Sequence, residues 1–213
     1  MDPVSPDPQV IESAGKIIRA GGVVVFPAQC LYGLACDAAN PEAVRRIFEI
    51  KQRPETKALL ILIHHPGQIP GLVKKIPQAA TRLMEACWPG GLTLVFEAAD
   101  HLGADLTAGT GKIGIRLPAH PVARALVAAA GCPITGTSAN LSGQPGCDTA
   151  ARLPQEITHR ADQVLDAGQL IGGAGSTVVD VTTSPVSILR EGLVSKSRIQ
   201  QILENHLPGA CPP

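Results

Sequence analysis

Two short polar constellations interrupt an otherwise apolar chain. Lys51-Gln52-Arg53-Pro54 sets two cations two residues apart, and Ser138-Ala139-Asn140-Leu141-Ser142-Gly143 supplies hydroxyls and an amide much later. A compact ammonium and a planar, bidentate guanidinium suit the grip of one polyphosphate, and a Ser-x-Asn pair can fix its orientation. The chemistry they suggest is anion binding with polar partners. Each half also has an ordinary explanation, since Lys-x-Arg commonly ends a solvated helix and Ser-Ala-Asn commonly makes a turn.

Arg116 sits between Ile115 and Leu117 on a predicted strand, so its side chain faces opposite to theirs. It reads either as one half of a structural ion pair or as a carboxylate ligand; Arg190 carries the same ambiguity. Gly172-Gly173-Ala174-Gly175-Ser176-Thr177 is glycine-rich enough to bring backbone N–H groups to an anion, but it lacks the Gly-Lys-Ser/Thr ending of a P-loop and the dinucleotide spacing. His64-His65 and His120, which precedes Pro121, fit surface or capping roles. No Ser-His-Asp or Cys-His arrangement can be singled out from spacing.

The elements that must position these groups follow from periodicity. Ile11, Ala14, Ile17 and Ile18 recur at helical spacing up to Gly21-Gly22, and Val23 to Phe26 reads as a buried strand ending at Pro27. Pro41 opens a second helix whose apolar face places Lys51 and Arg53 at its exit. Strands are predicted at Leu59–Ile63, Leu92–Phe96, Ile113–Arg116, Ile134–Thr137, Val164–Asp166 and Thr177–Val181, and helices at Ala79–Cys87, Val122–Ala130 and Ser197–Leu207. Interleaved strands and helices predict an α/β layered sheet with helices on both faces. Pattern alone suggests a mostly parallel one.

The 213 residues fit one domain, expected over 9–207, with Pro- and Gly-rich ends at 1–8 and 208–213 expected to be flexible. Aromatic side chains are scarce, at one Trp, one Tyr and three Phe, so the core must be aliphatic and base stacking has few platforms. Eighteen basic residues balance eighteen acidic ones, which excludes a general attraction for nucleic acid. Six cysteines show no zinc-type spacing, so they read as free thiols and no metal ligands are assigned. With no apolar leader or membrane-length run, a cytoplasmic location and no membrane partner are expected.

Seven blocks in one order resemble the YrdC-like family, whose best-known members are threonylcarbamoyl-AMP synthases of the bacterial TsaC type. They are Phe26-Pro27 with Leu31-Tyr32-Gly33-Leu34, Lys51-Gln52-Arg53-Pro54, Trp88 to Thr93, Gly114 to His120, Thr137 to Gly143, Gly175 to Asp180, and Leu189-Arg190-Glu191-Gly192. The resemblance implies a twisted mixed sheet flanked by helices, a YrdC/RibB-like fold (α+β in some schemes) around a central groove. It also implies synthesis of threonylcarbamoyl-AMP and pyrophosphate from L-threonine, bicarbonate or CO2, and ATP, with Mg2+ on the phosphates. The product would pass to a tRNA-modifying transferase complex for threonylcarbamoyladenosine synthesis.

Carried onto this chain, Lys51, Arg53, Ser138 and Asn140 would be catalytic. Those four with Lys57 and Arg190 would bind ATP, and Cys30, Arg116, Thr137 and Ser176 would bind threonine. One block departs from the pattern. Where the family reads Pro-Thr, an acid, then Thr or a small residue, this chain has Pro27-Ala28-Gln29-Cys30, losing a hydroxyl and a negative charge. That loss suggests an alternative, a non-catalytic RNA-binding or ribosome-maturation factor contacting tRNA or double-stranded RNA through the same groove. A carbamoyl-transfer domain of the hydrogenase-maturation kind ranks last, because the zinc-binding cysteine pairs of those chains are absent.

Overall fold

Helix α1 (Pro8–Arg19) starts where the Asp7 carboxylate accepts from the Gln9 N–H at 2.7 Å and Pro8 occupies the first turn. Its apolar stripe, Ile11, Ala14 and Ile18, packs on α5 (Pro121–Ala130), and a Cβ at Gly15 would lie 2.6 Å from the Ala129 carbonyl carbon. Only glycine permits that approach. The computed structural model describes residues 6–204. Asp7 and Pro8 thus belong to a helix start and not to a loose end, while the rest of the expected flexible ends, and Leu207 of the expected last helix, lie outside the described residues.

After α1 come β1 (Val24–Pro27), β2 (Tyr32–Ala35), α2 (Pro41–Lys51), β3 (Leu60–Leu62), α3 (Gln78–Cys87), β4 (Leu92–Glu97), a short α4 (Ala104–Thr107) and β5 (Lys112–Arg116). Beyond α5 lie β6 (Ile134–Ser138), a short α6 (Gln155–Thr158), β7 (Gln163–Val164), β8 (Thr177–Asp180), β9 (Ser187–Arg190) and α7 (Lys196–Glu204). The nine strands run in the order β7-β1-β2-β6-β3-β5-β4-β8-β9. Three pairs are parallel (β1/β7, β3/β5, β4/β8) and the other five antiparallel, so the sheet is mixed, as the resemblance implies. The mostly parallel sheet suggested by pattern is corrected. A strand buried on both faces is a continuous apolar run whichever way it points, so periodicity carries no direction.

Alternation along β1 feeds two cores. Val25, like Val23 just before it, joins Tyr32, Leu34 and the apolar face of α2 on one side, whereas Val24 and Phe26 join α1 and α5 on the other. Helices therefore cover both faces. Over the middle of the sheet, Gly136, Leu60, Gly114 and Val95 stand in one row across β6, β3, β5 and β4. Two glycines beside Leu60 leave that row without side chains on either side, which makes room for a groove.

Candidate functional site

α2 ends because Gln52 turns into the left-handed region at φ 49°, and beyond this turn Arg53 folds onto the loop that leads into β3. Arg53 Nε donates to the Lys57 carbonyl at 3.0 Å and its Nη2 to the Ala58 carbonyl at 2.9 Å. The preceding Lys51 points the other way and is buried, donating to the carbonyls of Ser138 and Asn140, the latter at 2.7 Å, with the Asn140 Oδ1 at 3.5 Å. Asn140 in turn donates to the carbonyls of Leu141 (2.8 Å) and Gln144 (2.6 Å). Sequence-distant halves thus meet: the helix-exit lysine braces the turn that follows β6. Burial, reinforced by the nearby Arg53 charge, lowers the Lys51 ammonium to about 8.

Above this brace lies a cavity of about 490 Å3. Arg53, Arg116 and Arg190 line it together with Cys30, Thr137, Ser138 and Ser176, and no carboxylate does. Lys51 and Asn140 sit behind its wall, and Lys57 is exposed beside Arg53, off the lining. Arg116, on β5, is 7% exposed; its Nη2 donates to the Ala28 carbonyl at 3.0 Å and to Gln29 Oε1 at 3.4 Å. Its Nε is buried with no hydrogen-bond partner. Such a donor is costly to leave unmade. Burial lowers the Arg116 guanidinium to about 10, with Arg190 adding to the effect and Cys30 opposing it, so the group stays cationic near neutrality.

Arg190 reaches in from the edge strand β9. Its Nε and Nη2 donate to the Ser176 carbonyl at 3.1 and 2.7 Å, and Nη2 lies 3.3 Å from the Ser176 hydroxyl. Ser176 is buried and shares a 2.8 Å hydrogen bond with Thr93. Neither arginine makes the structural ion pair that a strand arginine suggests, because the described salt bridges involve neither. Burial raises the Cys30 thiol, leaving it a neutral wall residue.

Sequence reasoning left out Thr93, Gln29 as a partner of Arg116, and the apolar rim of Leu189 and Leu193. Thr93 had two available clues, its place at the end of the Trp88 to Thr93 block and its standing as a lone hydroxyl residue in a buried apolar strand. The histidines stay away from the lining: His65 Nδ1 accepts from the Gly67 N–H at 2.9 Å as a cap, and His120 stands at the start of α5 without a side-chain cap bond. Among the described residues no group of three or more His, Cys, Asp or Glu could hold a metal ion, and no helix is long and apolar enough to cross a membrane.

Comparison with known proteins agrees with this architecture. The chain is 36% identical over 198 residues to the threonylcarbamoyl-AMP synthase of Bacillus subtilis, covering 92% of this chain and 57% of that protein. It is 31% identical to the threonylcarbamoyl-AMP synthase of Vibrio campbellii over 85% of this chain and 98% of that one. The structure of Pyrococcus abyssi Sua5 complexed with L-threonine superposes with a TM-score of 0.89 at 35% identity, covering 92% of this chain and 58% of that one. The chain therefore spans a little over half the length of the Bacillus and Pyrococcus relatives. The Sua5/YciO/YrdC family model, described as "Telomere recombination", matches residues 16–192, and the chain belongs to this family.

Proposed function

We propose that the protein makes threonylcarbamoyl-AMP and pyrophosphate from L-threonine, bicarbonate or CO2, and ATP. The observation that carries this reading is a cavity lined by three guanidiniums and no carboxylate, the charge pattern needed by a ligand set of carboxylate, carbamate and triphosphate. Arg116 holds the threonine carboxylate with the part of its guanidinium that lines the cavity. Ser176, Thr137 and Cys30 face the remainder of the amino acid. Arg53 and Arg190 neutralise the phosphates, with Lys57 on the outer side, while Ser138 orients them and Lys51 with Asn140 keeps that turn rigid.

The carbamate oxygen attacks the α-phosphorus in line and pyrophosphate leaves. Positioning and charge neutralisation supply the catalysis. With no carboxylate on the lining, the protein offers Mg2+ no acidic ligand; the phosphate oxygens would hold the ion, with Ser and Thr hydroxyls as the side-chain oxygens at hand. The product is labile to water, so transfer to a tRNA-modifying complex follows, in a cytoplasmic setting and from a domain taken as 9–207. The RNA-binding alternative draws no support, since duplex binding needs cations along an open face and these arginines face a cavity.

Pyrophosphate release from ATP is the test, with Mg2+ and bicarbonate, with and without L-threonine, and with serine as control. Release that requires both threonine and bicarbonate is expected. ATP binding without any release would overturn the reading.

A further inference from the structure

The charge state in which the amino acid enters follows from the same cavity and rests on the threonine reading above. The ionisable groups on the lining are Arg53, Arg116, Arg190, Cys30 and Tyr32. Burial raises the Cys30 thiol and pushes Tyr32 up to about 12, so both are neutral near pH 7 and the three arginines are cationic. Lys51 adds a further cation behind the wall. Acids on adjoining segments are turned elsewhere: Asp166 accepts from the Tyr32 hydroxyl at 2.9 Å, Glu191 accepts from the Lys196 N–H at 2.7 Å, and Asp148 pairs with Arg152 at 3.1 Å.

An ammonium brings one positive charge and three donors. Several backbone acceptors beside the cavity are already engaged by cations: the Ala28 carbonyl by Arg116, that of Ser176 by Arg190 and that of Ser138 by Lys51. Gln29 completes the pattern. Its Oε1 faces the Arg116 guanidinium at 3.4 Å, which fixes the amide orientation, and its Nε2 has no protein partner among the described residues. The side chain thus shows the ligand a donor where an acid would show a counter-charge.

We propose that the cavity takes its amino acid as the free amine, and that Gln29 is a specificity-determining residue that withholds a counter-charge from the ammonium and offers an N–H to the carbamate oxygen. Entry of the amino acid releases one proton from its nitrogen to the buffer. The nitrogen lone pair then forms the N–C bond to CO2 while one C=O π bond opens to an oxyanion, and a second nitrogen proton leaves to solvent. A site that has already removed the first proton presents the nucleophile that this step requires.

The test is calorimetry of L-threonine binding at pH 7, without nucleotide, in buffers of different ionisation enthalpy, which counts protons released per ligand bound. Nearby like charges disfavour the charged amine, so the wild type is expected to release a measurable fraction of a proton, approaching one where the depression reaches about three pH units. Gln29→Glu is expected to release clearly fewer and to bind threonine more tightly. Gln29→Met, which adds no charge, should release as many as the wild type. Binding without proton release by the wild type, or equal release by Gln29→Glu, overturns this proposal and leaves the threonine site standing. Failure of the wild type to bind threonine overturns both.

Discussion

Replacing Lys51 with Met tests the electrostatics beneath the cavity. The lysine is 1% exposed and its ammonium rests on carbonyl oxygens without a carboxylate partner among the described residues. Lowering from 10.5 to about 8 corresponds, at about 1.4 kcal/mol per pH unit, to roughly 3 kcal/mol against the charged folded form. Lys51→Met removes that penalty and keeps most of the buried stem. It also deprives two carbonyls of their donor, at about 1–3 kcal/mol each. The effects nearly cancel at pH 7, so stability should change by less than about 2 kcal/mol.

The pH dependence does not cancel. Between pH 8 and 10.5 the unfolded chain retains a lysine proton that the folded chain has released, so this group's contribution to stability rises with pH. The buried thiols and Tyr32 act in the opposite sense, because their raised values keep protons on the folded state that the unfolded state loses. Comparing wild type with variant removes that shared background. In parallel urea denaturation at pH 7 and 9.5, the stability difference should move by about 2 kcal/mol in favour of the wild type. A difference independent of pH, or one moving toward the variant, would refute the argument that burial outweighs the carbonyl acceptors at this ammonium.

Arg53→Ala should weaken ATP binding about tenfold or more while lowering stability by less than about 1 kcal/mol, because its protein bonds are exposed ones to two backbone carbonyls; binding titrations beside thermal melts check this, and a large stability loss with intact ATP affinity would contradict it. Gly192→Ala should cost about 1–3 kcal/mol and reduce turnover. Its Cβ would lie 2.2 Å from the Gly175 carbonyl oxygen and 2.7 Å from the Ser176 carbonyl carbon, so the backbone that anchors Arg190 must shift. Thermal unfolding and pyrophosphate release on the same sample measure both effects.

The five longer helices and most strands were legible because each buries an apolar pattern written within a dozen residues, as in α1, α2 and β4, whereas α4 and α6, four residues each, are too short to carry such a pattern. β2 escaped notice because Tyr32-Gly33-Leu34-Ala35 is short, fully buried and broken by a glycine, and β9 because Ser187-Ile188-Leu189-Arg190 is a largely exposed edge. Ordered motifs likewise pointed to Arg53, Arg116, Ser138, Ser176 and Arg190, all of which line one cavity. Local spacing could not say that Lys51 would turn inward to brace Ser138 and Asn140, that Lys57 would stand off the lining, or that Gln29 would meet Arg116. Periodicity and turn chemistry act over a few residues and so are written in order along the chain. Strand direction, the cost of burying a charge and the absence of a counter-charge are sums over groups from many elements, and they acquire values only once β1, β5, β6 and β9 stand around one space.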